Sequence, residues 1–106
     1  MSSPFHTVAI LPIKAGKTEE FLAATRTMAK AAEENEPDTL KYYFILTKNE
    51  QGQDQLVAVE KYVDEAASKR HTETAHFAAF FGKIGEWLDG APQIHTGGVV
   101  AGYERA

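Results

Sequence analysis

Apolar residues along this chain follow two periods, and the switches between them divide it into elements. Between Phe5 and Ile13 there is no helical spacing. Phe5, Thr7, Ala9, Leu11 and Ile13 share one parity and His6, Val8 and Ile10 the other, which predicts a strand apolar on both faces. Pro12 falls near its end, where a missing N–H donor is tolerated. After a turn at Ala15-Gly16-Lys17, Phe21, Leu22, Thr25, Met28, Ala29 and Ala32 recur at steps of three and four. This predicts an amphipathic helix, capped by Thr18, with Glu19 and Glu20 in its first turn. It stops at Asn35-Glu36-Pro37-Asp38, because proline bars its predecessor from helical backbone.

Period two returns from Thr39 to Lys48, where Leu40, Tyr42, Phe44 and Leu46 face one way and Tyr43 and Ile45 the other. The polar loop Asn49–Asp54 leads into a strand from Gln55 to Val63, and the two pair as an antiparallel hairpin. Leu56, Ala58, Glu60 and Tyr62 share one of its faces, and Val57, Val59 and Val63 the other. Asp64 caps a helical stretch in two pieces, 64–71 and 74–89, with a kink near Thr72 where the apolar period shifts. Phe77, Phe80, Phe81, Ile84, Trp87 and Leu88 make one broad apolar stripe, roughly 120° wide at 100° per residue. Gly90 and Pro92 end it. A last strand runs from Gln93 to Glu104, with a bulge expected at Gly97-Gly98.

The order β-α-β-β-α-β is that of an α+β, ferredoxin-like split β-α-β subunit: a four-stranded antiparallel sheet with the helices on one face. With strands apolar on both sides, the other sheet face is left bare, and a monomer avoids so large an apolar patch. A homodimer through the sheet faces is therefore expected.

A chain of 106 residues makes one domain, 1–106, with a single core. The net charge of −4 and scattered cations argue against a nucleic-acid partner. The absence of cysteine removes disulfides, thiolate catalysis and cysteine-based metal sites. The start, MSSPFHTVAIL, does not read as a signal peptide, and no apolar run spans a membrane, so a cytoplasmic protein is expected.

Few residues carry candidate chemistry. His76 lies at the rim of the aromatic stripe, where an imidazole serves either as packing or as a base in a pocket. In one continuous helix His71 would lie about 140° from it, so the two are not a zinc-protease pair, and no metal site is expected. Glu60 interrupts an apolar strand face, and a carboxyl buried there marks either a site or a snorkelling side chain. Tyr42, Tyr43, Tyr62 and Tyr103 offer hydroxyls on an aromatic wall suited to a flat, partly polar ligand, or reflect ordinary strand propensity. No phosphate-binding loop or nucleophile elbow is present.

Three stretches together, AGKTEEFLAA, EPDTLKYYFIL and VAVEKYVDEAASKRHTETAHFAAFFGKIGEWL, resemble the antibiotic biosynthesis monooxygenase (ABM) family of the dimeric α+β barrel superfamily. The last is the most specific, with Glu60, Tyr62, an acid-led helix, His71 and then His76-Phe77. The resemblance implies a barrel-forming homodimer and cofactor-independent oxidation of a small aromatic quinol, anthrone or polyketide-like substrate by O₂. It implies His76 as base, His71 and Glu60 as helpers, and Tyr62, Phe77, Phe80 and Tyr42 as substrate-binding walls. Haem degradation, known in some relatives, is disfavoured, because the first strand has no asparagine and Tyr62 stands where tryptophan is common. The alternatives are a proton-transfer isomerase on the same scaffold and a non-catalytic dimeric ligand-binding or stress protein.

Overall fold

In the computed structural model, which describes residues 3–106, the two periods become four strands and three helices. In chain order they are β1 (Phe5–Pro12), α1 (Thr18–Asn35), β2 (Thr39–Lys48), β3 (Asp54–Tyr62), α2 (Glu65–Thr72), α3 (Ala75–Ile84) and β4 (Gln93–Gly97). The strands form one antiparallel sheet in the order β2-β3-β1-β4. β1 and β2, each antiparallel to β3, are parallel to one another with β3 between them, which is the split β-α-β arrangement.

Register decides which residues meet the helices. Thr7 pairs with Glu60, Ala9 with Ala58 and Leu11 with Leu56, while Tyr42 and Phe44 lie across from Glu60 and Ala58. These side chains share the covered face. Leu11, Ile13 and Leu56 pack there with Phe21 and Met28 of α1, Phe80 and Ile84 of α3, and Trp87. Phe21 is fully buried, its ring centroid 6.0 Å from Phe80 and 5.5 Å from Trp87. The opposite face carries Val8, Tyr43 and Ile45, which are 37%, 58% and 48% exposed. No helix of the described residues is long and apolar enough to cross a membrane.

Several boundaries differ from the sequence expectation. Thr18 does not cap α1. Lys17 holds that position without a side-chain bond, and the Thr18 hydroxyl instead donates to Asp54 Oδ2 at 2.7 Å. Leu40 leaves the covered face, because the β2–β3 register shifts by one residue between Thr39 and Lys41. The last helix ends at Ile84 rather than Asp89. Gly85 is a poor helix former, and the chain proceeds in turns that return Trp87 to the core and bridge Leu88 to Ile13. β4 stops at Gly97 instead of bulging through to Glu104. Its final pair is His6–Gly97 and β1 begins at Phe5, so later residues find no strand to join.

The break in the last helical stretch falls at Glu73-Thr74, beside the expected kink. Asp64 caps α2, accepting from the Ala67 N–H at 2.9 Å, and Thr74 caps α3, accepting from the Phe77 N–H at 3.2 Å. Asp64→Ala is expected to cost about 1 kcal/mol, read as a lower urea midpoint at unchanged slope. An unchanged midpoint would mean that packing alone holds α2.

Candidate active site

Tyr42, Glu60, Tyr62, His71, Phe77 and Phe80 line one cavity of about 160 Å³ between the sheet and the helices. β2 supplies the first, β3 the next two, α2 His71, and α3 the phenylalanines. Glu60 and Tyr62 lie two residues apart on one strand and so point the same way, and the Tyr62 hydroxyl donates to Glu60 Oε1. Tyr42 donates to Met28 Sδ at 3.3 Å. The rest of the wall is mainly apolar.

His76 is not in that wall. It stands on the far side of a residue that the sequence reading passed over, Glu36. The Glu36 carboxylate lies between two imidazoles. His71 Nδ1–H donates to Oε1 at 2.7 Å, His76 Nε2–H donates to Oε2, and the Thr39 hydroxyl adds a bond to Oε1 at 2.8 Å. The same register shift that exposes Leu40 pairs Thr39 with Tyr62 on the covered face. Pro37 ends α1 and leaves Glu36 at its C-cap. The two histidines converge because the break at Glu73-Thr74 puts them on separate helices. Their ring centroids are 6.5 Å apart.

Glu36 did leave a trace in the sequence. Glu33, Glu34 and Glu36 crowd the C-terminal end of α1, whose last turn has no basic residue. Acids are unfavourable there, where the helix dipole is negative. An acid in such a place implies compensating donors from elsewhere, but nothing in the chain says that they come from residues 71 and 76.

The two buried carboxyls are driven apart. Burial acts to raise Glu36, but the hydrogen bonds from His76, Thr39 and His71 outweigh it and hold this carboxyl below its ordinary value. Burial pushes Glu60 up, and the hydrogen bond from the Tyr62 hydroxyl offsets only part of this. Burial likewise raises the Tyr42 and Tyr62 phenols, so both stay protonated. Opposed shifts of this kind give the two carboxyls unequal affinities for a proton, lower at Glu36 and higher at Glu60.

The ionised Glu36 also sets the His71 tautomer. A carboxylate can only accept, so Nδ1 carries the proton and Nε2 is left with its lone pair when the ring is neutral. That nitrogen is buried and has no hydrogen-bond partner. Tyr42, Tyr62 and Phe77 surround the ring at centroid distances of 5.0, 5.7 and 5.1 Å. An unpartnered, oriented imidazole nitrogen on a residue that lines an aromatic cavity is a candidate proton acceptor for what binds there.

The spacing of the histidines argued against a metal site, yet one ligand atom each from Glu36, His71 and His76 lies within 4.8 Å of the others. The third group comes from a residue 35 positions away, which local spacing cannot reveal.

The profile of the family described as "Antibiotic biosynthesis monooxygenase" matches residues 4–83. "Putative monooxygenase YcnE" of Bacillus subtilis (strain 168) is 35% identical over 80 residues, which cover 76% of this chain and 81% of that protein. A crystal structure of a Caulobacter crescentus CB15 protein, described as belonging to the same monooxygenase class, superposes with a TM-score of 0.85 at 29% identity, covering 94% of this chain and 92% of that one. PA3566 from Pseudomonas aeruginosa superposes with a TM-score of 0.78 at 24% identity, covering 95% and 98%, and shows the shared fold.

Proposed function

The chain belongs to the antibiotic biosynthesis monooxygenase family, and on that premise we propose that it is a cofactor-independent monooxygenase of small aromatic quinols, anthrones or related polyketide-like substrates. The observation that carries this reading is the unpartnered, buried Nε2 of His71, a residue that lines an aromatic cavity. The cavity volume of about 160 Å³ resembles the ~150 Å³ engineered cavity that binds benzene, so a single-ring quinol is the favoured member of this substrate class.

In this reading His71 Nε2 removes a phenolic or activated C–H proton, and Glu36 stabilises the imidazolium that forms. The substrate anion is electron-rich enough to reduce O₂ itself and forms a carbon–peroxide bond. Loss of water from the peroxide leaves a carbonyl. One oxygen atom goes into product, the other into water, and the substrate supplies all four electrons. Glu60, whose affinity for a proton burial raises, and Tyr62, which is hydrogen-bonded to it, are assigned to passing a proton to the departing oxygen. The walls supply orientation and exclude water from the anion. His76 is assigned to holding Glu36 rather than to touching substrate. No cofactor or haem is invoked in this reaction.

The test is oxygen uptake across a panel of quinols and anthrones, with one O₂ consumed per carbonyl formed. Product formed without oxygen uptake would instead indicate proton-transfer isomerisation, and neither product nor saturable binding would favour a non-catalytic role.

We also assign the bare sheet face to a two-fold dimer. Val8, Tyr43 and Ile45 on that face are apolar and exposed, and a second copy covers them symmetrically. Ile45→Glu is expected to convert the dimer into monomer in sedimentation experiments, since it would bury a charge against its own copy. A dimer that survives this substitution would place the interface elsewhere.

A further inference from the structure

We propose that Glu36, His71 and His76 form a binding site for a divalent transition-metal ion of zinc-like ligand preference. Two imidazole nitrogens and one carboxylate oxygen are the donor set of a three-ligand zinc site with an open fourth position. The three donor atoms already lie within 4.8 Å of one another. Metal–ligand bonds of about 2.1 Å in tetrahedral array set the donors roughly 3.4 Å apart. The His71–Glu36 contact of 2.7 Å therefore has to open by about 0.7 Å, within side-chain movement.

Access and support are both present. A second cavity, lined by Glu36, Thr39, His71 and Thr74 among others, reaches the cluster without passing through the aromatic cavity. His76 is 16% exposed, which leaves room for water as fourth ligand. The Thr39 hydroxyl orients the carboxylate from behind. His71 and Glu36 are nearly buried, so the site is held by the fold rather than assembled from surface side chains.

Occupation changes His71 in a defined way. The ion takes the Nδ1 lone pair, so the ring proton moves to Nε2. An Nε2–H cannot accept a proton from the cavity, and the ion acts as an off-switch for the base. Binding is independent of the activity proposed above, and only the effect on turnover rests on that reading.

The experiment is titration of the full-length chain with Zn²⁺ in competition with a chromophoric chelator. One ion per chain is expected, with affinity reduced more than about 100-fold in His76→Ala and unchanged in the double variant His6→Ala/His95→Ala. Thermal unfolding should show Zn²⁺ stabilising the wild type and not His76→Ala, a comparison that also reports whether the variant folds. Side-chain nitrogen NMR should show metal at His71 Nδ1 and a proton at Nε2. Absence of saturable uptake, uptake indifferent to His76→Ala, or uptake lost with His6 and His95 would overturn the proposal. Oxygen uptake by chelator-treated protein is scored separately, so failure of the metal site and failure of the oxygenase reading remain distinct.

Discussion

Replacing His71 with glutamine is expected to lower turnover in the oxygen-uptake assay about 100- to 10,000-fold, the range of a lost general base. The effect should fall on kcat rather than KM. The walls that hold a ring, Phe77, Phe80 and Tyr42, are untouched, and a glutamine fills a similar volume while offering no basic nitrogen. His76→Ala should cost less, because the Glu36 carboxylate keeps its bonds from His71 and Thr39. Equal losses in the two variants would mean that the histidines act as one unit. A larger loss in His76→Ala would return the base to the position that the family resemblance implied.

The second large effect concerns stability. Glu36→Ala leaves the His71 and His76 N–H groups and the Thr39 hydroxyl without their acceptor, with His71 buried and the other two partly buried. Removing the shared charged acceptor of these hydrogen bonds costs about 1–3 kcal/mol, read in urea unfolding. The milder Glu36→Gln exposes the pH dependence. The folded-state value of Glu36 lies below its ordinary 4.5. Its stabilisation is therefore complete above that ordinary value and is lost as pH falls through the lower, folded value. The stability gap between wild type and Glu36→Gln should be constant near neutrality and close in acid. A gap that persists unchanged in acid would show that shape, not charge, gives Glu36 its importance.

The two histidines show where sequence reading stops. Each was visible as a candidate, but their relation was not, since it depends on where one helix ends and the next begins. A period shift indicated a break near Thr72; it could not give the angle. Glu36 was visible as part of a helix stop, with a charge opposed to the helix dipole. Its partners lie 35 and 40 residues away, a separation that no local pattern encodes. The end of α3 was misplaced for a related reason. Trp87 and Leu88 continue the apolar stripe because both return to the interior, one against Phe21 and the other bridged to Ile13. Periodicity registers burial and does not distinguish a helix from a turn that follows it.

The sequence by itself determined the alternation of strands and helices, the face parity of the first three strands apart from Leu40, the bare sheet face and the polar exceptions on the covered one. These follow from which residues avoid water, a property that each carries locally. The tertiary structure alone decided that His71 rather than His76 lines the aromatic cavity, that a carboxylate fixes its tautomer, and that two buried acids are driven in opposite directions. Those outcomes depend on distances of a few ångströms between atoms remote in the chain, where burial and hydrogen bonding set which groups hold their protons.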